Sequence, residues 1–224
     1  MSEAYAHLVG EEQIPAEKIV VAGDSAGGHL ALSLLVDLDK KRSSSANDKV
    51  LCKPGGLMLM SPWLSLHHEP AFHARNARTD VLSGLFIHQC ARRFLGHNAI
   101  VNESSKDLDK CSPYLEFLLS EPGIEWEVVL SSWLWVSAGG NEIFFDDIET
   151  WVRTVRERLG EQKVRFDLGF GKLHVWQWLE TMMDDSMKKL FLGNAIGDRR
   201  GSDATANIGR AIVAQMKWKR ANAN

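Results

Sequence analysis

The chain has 224 residues, of which 45% are hydrophobic and 25% charged, and a formal net charge of −3. It is long enough to bury a sizeable core and shows no internal repeat or long linker, so a single domain over 1–224 is expected. The near-neutral charge leaves no electrostatic case for nucleic acid or an anionic membrane surface as partner. The cysteines Cys52, Cys90 and Cys111 are odd in number and lack C-x-x-C spacing. Neither a disulfide framework nor a zinc site is indicated, and a reduced, cytoplasmic setting is the simplest expectation.

The opening MSEAYAHLVGEEQ lacks the basic start and apolar core of a signal peptide. It predicts a helix around Glu3 to Leu8, followed by a connector containing Pro15. The segment KIVVAGDSAGGHLALSLL, Lys18 to Leu35, then reads as strand, tight turn and helix. Ile19 to Ala22 suit a buried parallel strand, and Leu30, Ala31, Leu34 and Leu35 recur at helical spacing. Between them Ser25 sits in G-x-S-x-G, where Gly23 and Gly27 leave room for a strained backbone that exposes the hydroxyl. Ser25 is therefore the candidate nucleophile. A phosphate-cradling turn is the competing reading, but neither G-x-G-x-x-G nor a Walker lysine supports it. Asp24 reads as support for the turn, and His29 as packing or surface.

The basic run Lys40 to Ser44 reads as a solvated helix end that leads into the Ser-rich loop 43–48. GGLMLMSPWLSL, Gly55 to Leu66, reads as a strand with a Ser-Pro-Trp corner. The stretch His67 to Arg78 has little periodicity. A helix from Ser83 to Leu95 follows, with Leu85, Phe86, Cys90 and Phe94 expected to face inward. After a strand within LWVSAGGNEIFFDDIETWV, Ile148, Trp151, Val152, Val155 and Leu159 form one helical face, with Asp146 and Asp147 capping its positive end. Val164, Phe166, Leu168 and Phe170 alternate as in a half-buried strand, which places His174 on the loop just beyond. A last helix, Ile208 to Trp218, reads as structural cover.

GDSAGG with its apolar helix, Ser61-Pro62-Trp63, the Glu142 loop and GKLHVWQW together resemble the hormone-sensitive-lipase-like branch of the α/β-hydrolases, the fold-3 esterases that include fungal steryl-acetyl-hydrolase-like proteins. The resemblance covers most of residues 5 to 180. It implies an α/β fold with a mostly parallel sheet flanked by helices, and a serine-acid-histidine triad in that chain order. Ser25, an acid near 142 and His174 follow that order. The family's acid loop reads Asp-x-x-x-Asp, and here it is Glu142 to Asp146, so Glu142 takes the triad position and Asp146 is the alternative. Glu142 would accept the imidazole N–H and fix its tautomer. The elbow's oxyanion donor would be the backbone N–H of Ala26. No HGGG loop precedes the elbow, and by resemblance the family's first strands are lacking. By resemblance the insertion after the second strand lies over the active site, with Trp63 and Phe86 as candidate lining groups and a core role as the equal alternative for each.

The implied activity is cofactor-free hydrolysis of a small apolar ester, such as an acetyl ester of an apolar alcohol, through an acyl-serine. Two alternatives stay open. One is a catalytically weak or inactive remnant, or a small-molecule-binding protein as the plant gibberellin receptors of this family are without the histidine. The other is a thioesterase or lactonase.

Overall fold

The computed structural model describes residues 1–44, 52–66, 75–95, 114, 117–118 and 124–182, in two compact units, Met1–His174 and Val175–Asn224. The expected tail helix, Cys111 and the loop 45–50 lie outside the described residues.

In the first unit the elements run α1 (Ser2–Gly10), β1 (Val20–Asp24), α2 (Ala26–Ser44), β2 (Gly56–Met60), α3 (Gly84–Leu95), the short α4 (Trp126–Val129), β3 (Leu134–Gly139), α5 (Phe145–Leu159) and β4 (Val164–Gly169). The strands form one sheet in the order β1-β2-β3-β4, and every neighbouring pair is parallel. Asp24 aligns with Met60, Met60 with Ser137, and Gly139 with Gly169. All four strands therefore end at the same edge of the sheet, where the segments carrying the candidate site residues Ser25, Glu142 and His174 leave it.

Burial follows position in the sheet. β2 and β3 are buried throughout, as expected of strands covered on both faces. β1 departs from the buried strand expected from Ile19 to Ala22: Val20 is 42% exposed, and Ala22 and Asp24 are exposed with it. It lies at one end of the sheet and keeps one face in solvent. In β4 the alternation stops at Gly169, so Phe170 falls in the turn and is 85% exposed.

The helices also show where periodicity misleads. α2 buries Ala31, Leu32, Leu34, Leu35, Val36 and Leu38, whereas Leu30 points outward. On α3 the inward face is Ile87 and Ala91, with Cys90 half-buried; Leu85, Phe86 and Phe94 are exposed, contrary to the expected set. The Ser83 hydroxyl accepts the Phe86 N–H at 3.2 Å and so starts α3 where the sequence places it. α5 buries Ile148, Trp151, Val152 and Val155 as read. Asp146 and Asp147 lie in its first turn, but the N-cap is Phe144 and makes no side-chain cap. Asp146 instead pairs with Arg75 at 2.8 Å.

Phe117, Trp126 and Trp151 form an edge-to-face chain in the main core, with centroids 6.1 and 5.7 Å apart. Contacts of this kind add about 1 kcal/mol each beyond burial. A satellite core of Tyr5, Ala16, Leu34 and Leu38 seats α1, and the Tyr5 hydroxyl donates to the Cys52 carbonyl at 2.6 Å. At the end of α2, Lys41 and Arg42 pair with Asp37 and Asp39. In the second unit, Val175 takes φ 47° and the helix α6 (Trp176–Met182) follows. Among the described residues no helix is long and apolar enough to cross a membrane.

Candidate active site

Ser25 occupies the single-residue turn between β1 and α2 with φ 51°, a left-handed conformation costly for any side chain but glycine. Surrounding hydrogen bonds hold it there. The Ser25 N–H donates to the Met60 carbonyl at 2.9 Å, and the Ser25 carbonyl accepts the Trp63 and Gly28 N–H groups at 3.0 and 3.1 Å. A Cβ on Gly23 would stand 2.2 Å from the Gly27 carbonyl oxygen, and one on Gly28 would stand 2.9 Å from the Pro62 side chain. A Cβ on Gly27 would meet only the Asp24 carboxylate, at 3.7 Å. The turn therefore depends on Gly23 and Gly28, whereas Gly27, expected to provide room, contributes its main-chain carbonyl.

His174 follows β4 on a loop that the acid loop grips directly. The Gly140 and Asn141 N–H groups donate to the Gly169 and Lys172 carbonyls, both at 2.8 Å. A Cβ on Gly139 would lie 2.5 Å from the carbonyl oxygens of both Lys172 and Leu173, so only glycine admits this approach. The outcome is a contact between distant ends of the chain: His174 Nε2 lies 2.8 Å from Ser25 Oγ. The ring is buried and packs edge-on against Phe144 with centroids 5.3 Å apart.

Glu142 is fully buried, and its Oε2 lies 3.9 Å from His174 Nδ1. That oxygen already accepts the Ser61 hydroxyl at 2.5 Å and the Gly139 N–H at 3.0 Å. Oε1 and His174 Nδ1 are buried without a hydrogen-bond partner. Asp146, the alternative acid, is half exposed and engaged with Arg75. Burial pushes the Glu142 carboxyl up to about 8, against the hydrogen bonds from Ser61 and Gly139, with the Asp80 charge raising it further. Burial pulls the His174 imidazole down to about 4. Both shifts have one cause and disfavour ions in the same dry pocket. At neutral pH the imidazole is uncharged, and in the tautomer that carries its hydrogen on Nδ1 the Nε2 lone pair faces the Ser25 hydroxyl.

Ala26 opens α2, and its N–H belongs to the first turn, whose donors have no intrahelical acceptor. Trp63 is buried and stacked on Phe144 at 5.9 Å, whereas Phe86 is 53% exposed on α3. His29 is buried between the Trp63 and Tyr114 carbonyls, at 2.8 and 2.6 Å. Ser61, with φ 46°, anchors Glu142, a role that the sequence does not reveal, and the sequence points to the segment 76–80 only as part of an insertion that shapes a pocket. An unusual serine directly after a strand was the available cue for the first.

A family model described as alpha/beta hydrolase fold matches residues 1–177. The chain belongs to that family. This hydrolase-fold chain is 24% identical over 205 residues to an acetyl-hydrolase of Streptomyces hygroscopicus, covering 87% of the chain and 58% of the relative. Among solved structures it is similar to the esterase EstE5 soaked with ethyl alcohol, with TM-score 0.61, 20% identity, and 92% of this chain and 58% of that one covered. It is also similar to a hormone-sensitive lipase from a metagenome library, with TM-score 0.59, 19% identity, and 85% and 57% covered. The chain thus spans somewhat more than half the length of these relatives.

Proposed function

We propose that this hydrolase-fold chain is a serine esterase acting on small-acyl esters of apolar alcohols, acetyl esters among them. The observation that carries the reading is the 2.8 Å approach of His174 Nε2 to the hydroxyl of a serine held at φ 51°. Ser25 attacks the ester carbonyl as its proton passes to His174 Nε2; the same proton then goes to the departing alkoxide, which leaves an acyl-serine. Water repeats the sequence, giving its proton to His174 and releasing the acid. Glu142 orients the imidazole through Nδ1, and the Ala26 N–H faces the developing oxyanion as one of its donors. The similarity to an acetyl-hydrolase supports the choice of acyl group.

Intact mass after exposure to a small fluorophosphonate tests this. A single adduct is expected, absent in Ser25→Ala and slowed strongly in His174→Ala and Glu142→Gln. A folded chain that stays unlabelled refutes the esterase and leaves a small-molecule-binding role. The separation of 3.9 Å between Glu142 and His174 is the observation that favours this second reading.

A further inference from the structure

The loop between β2 and α3 was expected to shape a substrate pocket, yet within its stretch 75–83 the side chains of Asn76, Thr79 and Asp80 bond to the main chain of the two loops that carry Glu142 and His174. Asp80 Oδ2 accepts the Ile143 N–H at 2.8 Å, one residue after Glu142. Its Oδ1 accepts the His174 N–H at 3.0 Å and the Val81 N–H at 2.7 Å. The Asn76 amide donates to the Gly140 and Glu142 carbonyls, both at 3.0 Å, and the Thr79 hydroxyl donates to the Asn141 carbonyl at 3.2 Å. Glu142 is thereby held from both sides, by Asn76 at its own carbonyl and by Asp80 at the next N–H.

We propose that Asp80 is a positioning residue of the acyl-transfer site, its two carboxylate oxygens joining the acid loop to the histidine loop so that His174 stays in register with both Ser25 and Glu142. The inference rests on the esterase reading. The main-chain N–H of His174 has a carboxylate acceptor from another loop, which fixes where the ring starts. Displacement of a reacting group by about 1 Å costs about a hundredfold in rate, so a bridge of this kind acts on catalysis without touching substrate. Asp80 also adds a negative charge that Glu142 feels. Arg75, on the same loop, is engaged with Asp146.

Asp80→Asn decides the matter. An amide offers one oxygen where two N–H groups converge from different loops, so one loop loses its acceptor whichever way the amide turns. The fluorophosphonate labelling rate of Ser25 is expected to fall about ten- to a hundredfold. Loss of the negative charge that raises the Glu142 carboxyl lets Glu142 ionise at lower pH, so the acidic limb of the rate profile moves to lower pH. Asn76→Ala, which removes the uncharged half of the clamp, slows labelling without moving the limb. Labelling of folded Asp80→Asn within twofold of wild type, with the limb unmoved, overturns the proposal. If wild type is unlabelled, or His174→Ala matches it, the esterase reading itself has failed. Should Asp80→Asn not fold, amide exchange in wild type settles it: the Ile143 and His174 amides are expected to be protected at least a hundredfold, and unprotected amides overturn the bridge.

Discussion

Glu142→Gln separates stability from catalysis at a single buried atom. The Glu142 carboxyl is raised from 4.5 to about 8, chiefly by burial. A carboxyl raised on folding binds its proton more tightly in the native state. Its stabilisation is therefore fully present below about pH 4.5 and is lost as pH rises to about 8. At about 1.4 kcal/mol per pKa unit, a shift of this size sets a ceiling of about 5 kcal/mol on what wild type loses across that window. Glutamine is isosteric, does not ionise, and keeps a carbonyl oxygen for the Ser61 hydroxyl and the Gly139 N–H. The variant should match wild type near pH 5 and exceed it by a few kcal/mol at pH 9. Urea unfolding followed by tryptophan fluorescence at pH 5, 7 and 9 measures the difference, since Trp126, Trp135 and Trp151 are fully buried. Catalysis moves the other way. An amide N–H directed at Nδ1 selects the imidazole tautomer with its proton on Nε2, which cannot accept the Ser25 proton, and the rate falls by up to about ten-thousandfold. Equal pH dependence of stability in the two chains would refute the account of Glu142 as a desolvated carboxyl.

Labelling of wild type should rise with pH toward about 8, because the imidazole becomes a stronger base once Glu142 ionises; a stopped-flow pH series shows the limb, and Glu142→Gln should lack it. Ser25→Gly should abolish labelling and yet raise unfolding stability by about 1 kcal/mol in thermal melts, since glycine adopts φ 51° without strain. Gly139→Ala should destabilise the chain by about 1–3 kcal/mol and slow labelling more than tenfold, because its methyl would meet the Lys172 and Leu173 carbonyls. Gly27→Ala, where the methyl has room, should cost little or even stabilise α2 by up to about 1 kcal/mol, whereas Gly23→Ala should prevent the turn from forming.

What the sequence carried about this fold was period and order. Strand, elbow and helix around Ser25, the apolar face of α5 and the Ser83 start of α3 each rest on local patterns, and local patterns survive translation into structure. The inward face of α3 did not, since twelve residues with apolar groups on several sides allow more than one choice, and Ile87 and Ala91 took the core while Leu85, Phe86 and Phe94 were left outside. Phe170 failed for a related reason. It continues the alternation of β4 in sequence, but the chain turns at Gly169, and nothing in a period of two records where pairing ends.

The candidate site divides along the same line. Ser25 and His174 announce themselves because each follows a strand in a recognisable segment, and the parallel register brings those strand ends to one edge. The groups that hold them in place do not, because a side chain that bonds to a distant main-chain N–H or carbonyl leaves no periodic trace. Asp80 is one acidic residue among many until it is seen to accept N–H groups from Ile143 and His174, and Gly139 is one glycine among many until the Lys172 and Leu173 carbonyls are seen against it. Ser61 shows the intermediate case: its place after β2 was legible, but its bond to Glu142 was not. That bond bears on the chemistry directly. With Oε2 taken up by Ser61 and Gly139, the longer glutamate side chain is anchored both at the end of β2 and at the end of β3, and in the esterase reading the unpaired Oε1 and Nδ1 are the two atoms left for the acid and the base to share. Two buried polar atoms without partners cost about 1–3 kcal/mol each, so a hydrogen bond between them would be favoured most when the imidazole is charged, which is when the proposed acyl transfer needs it.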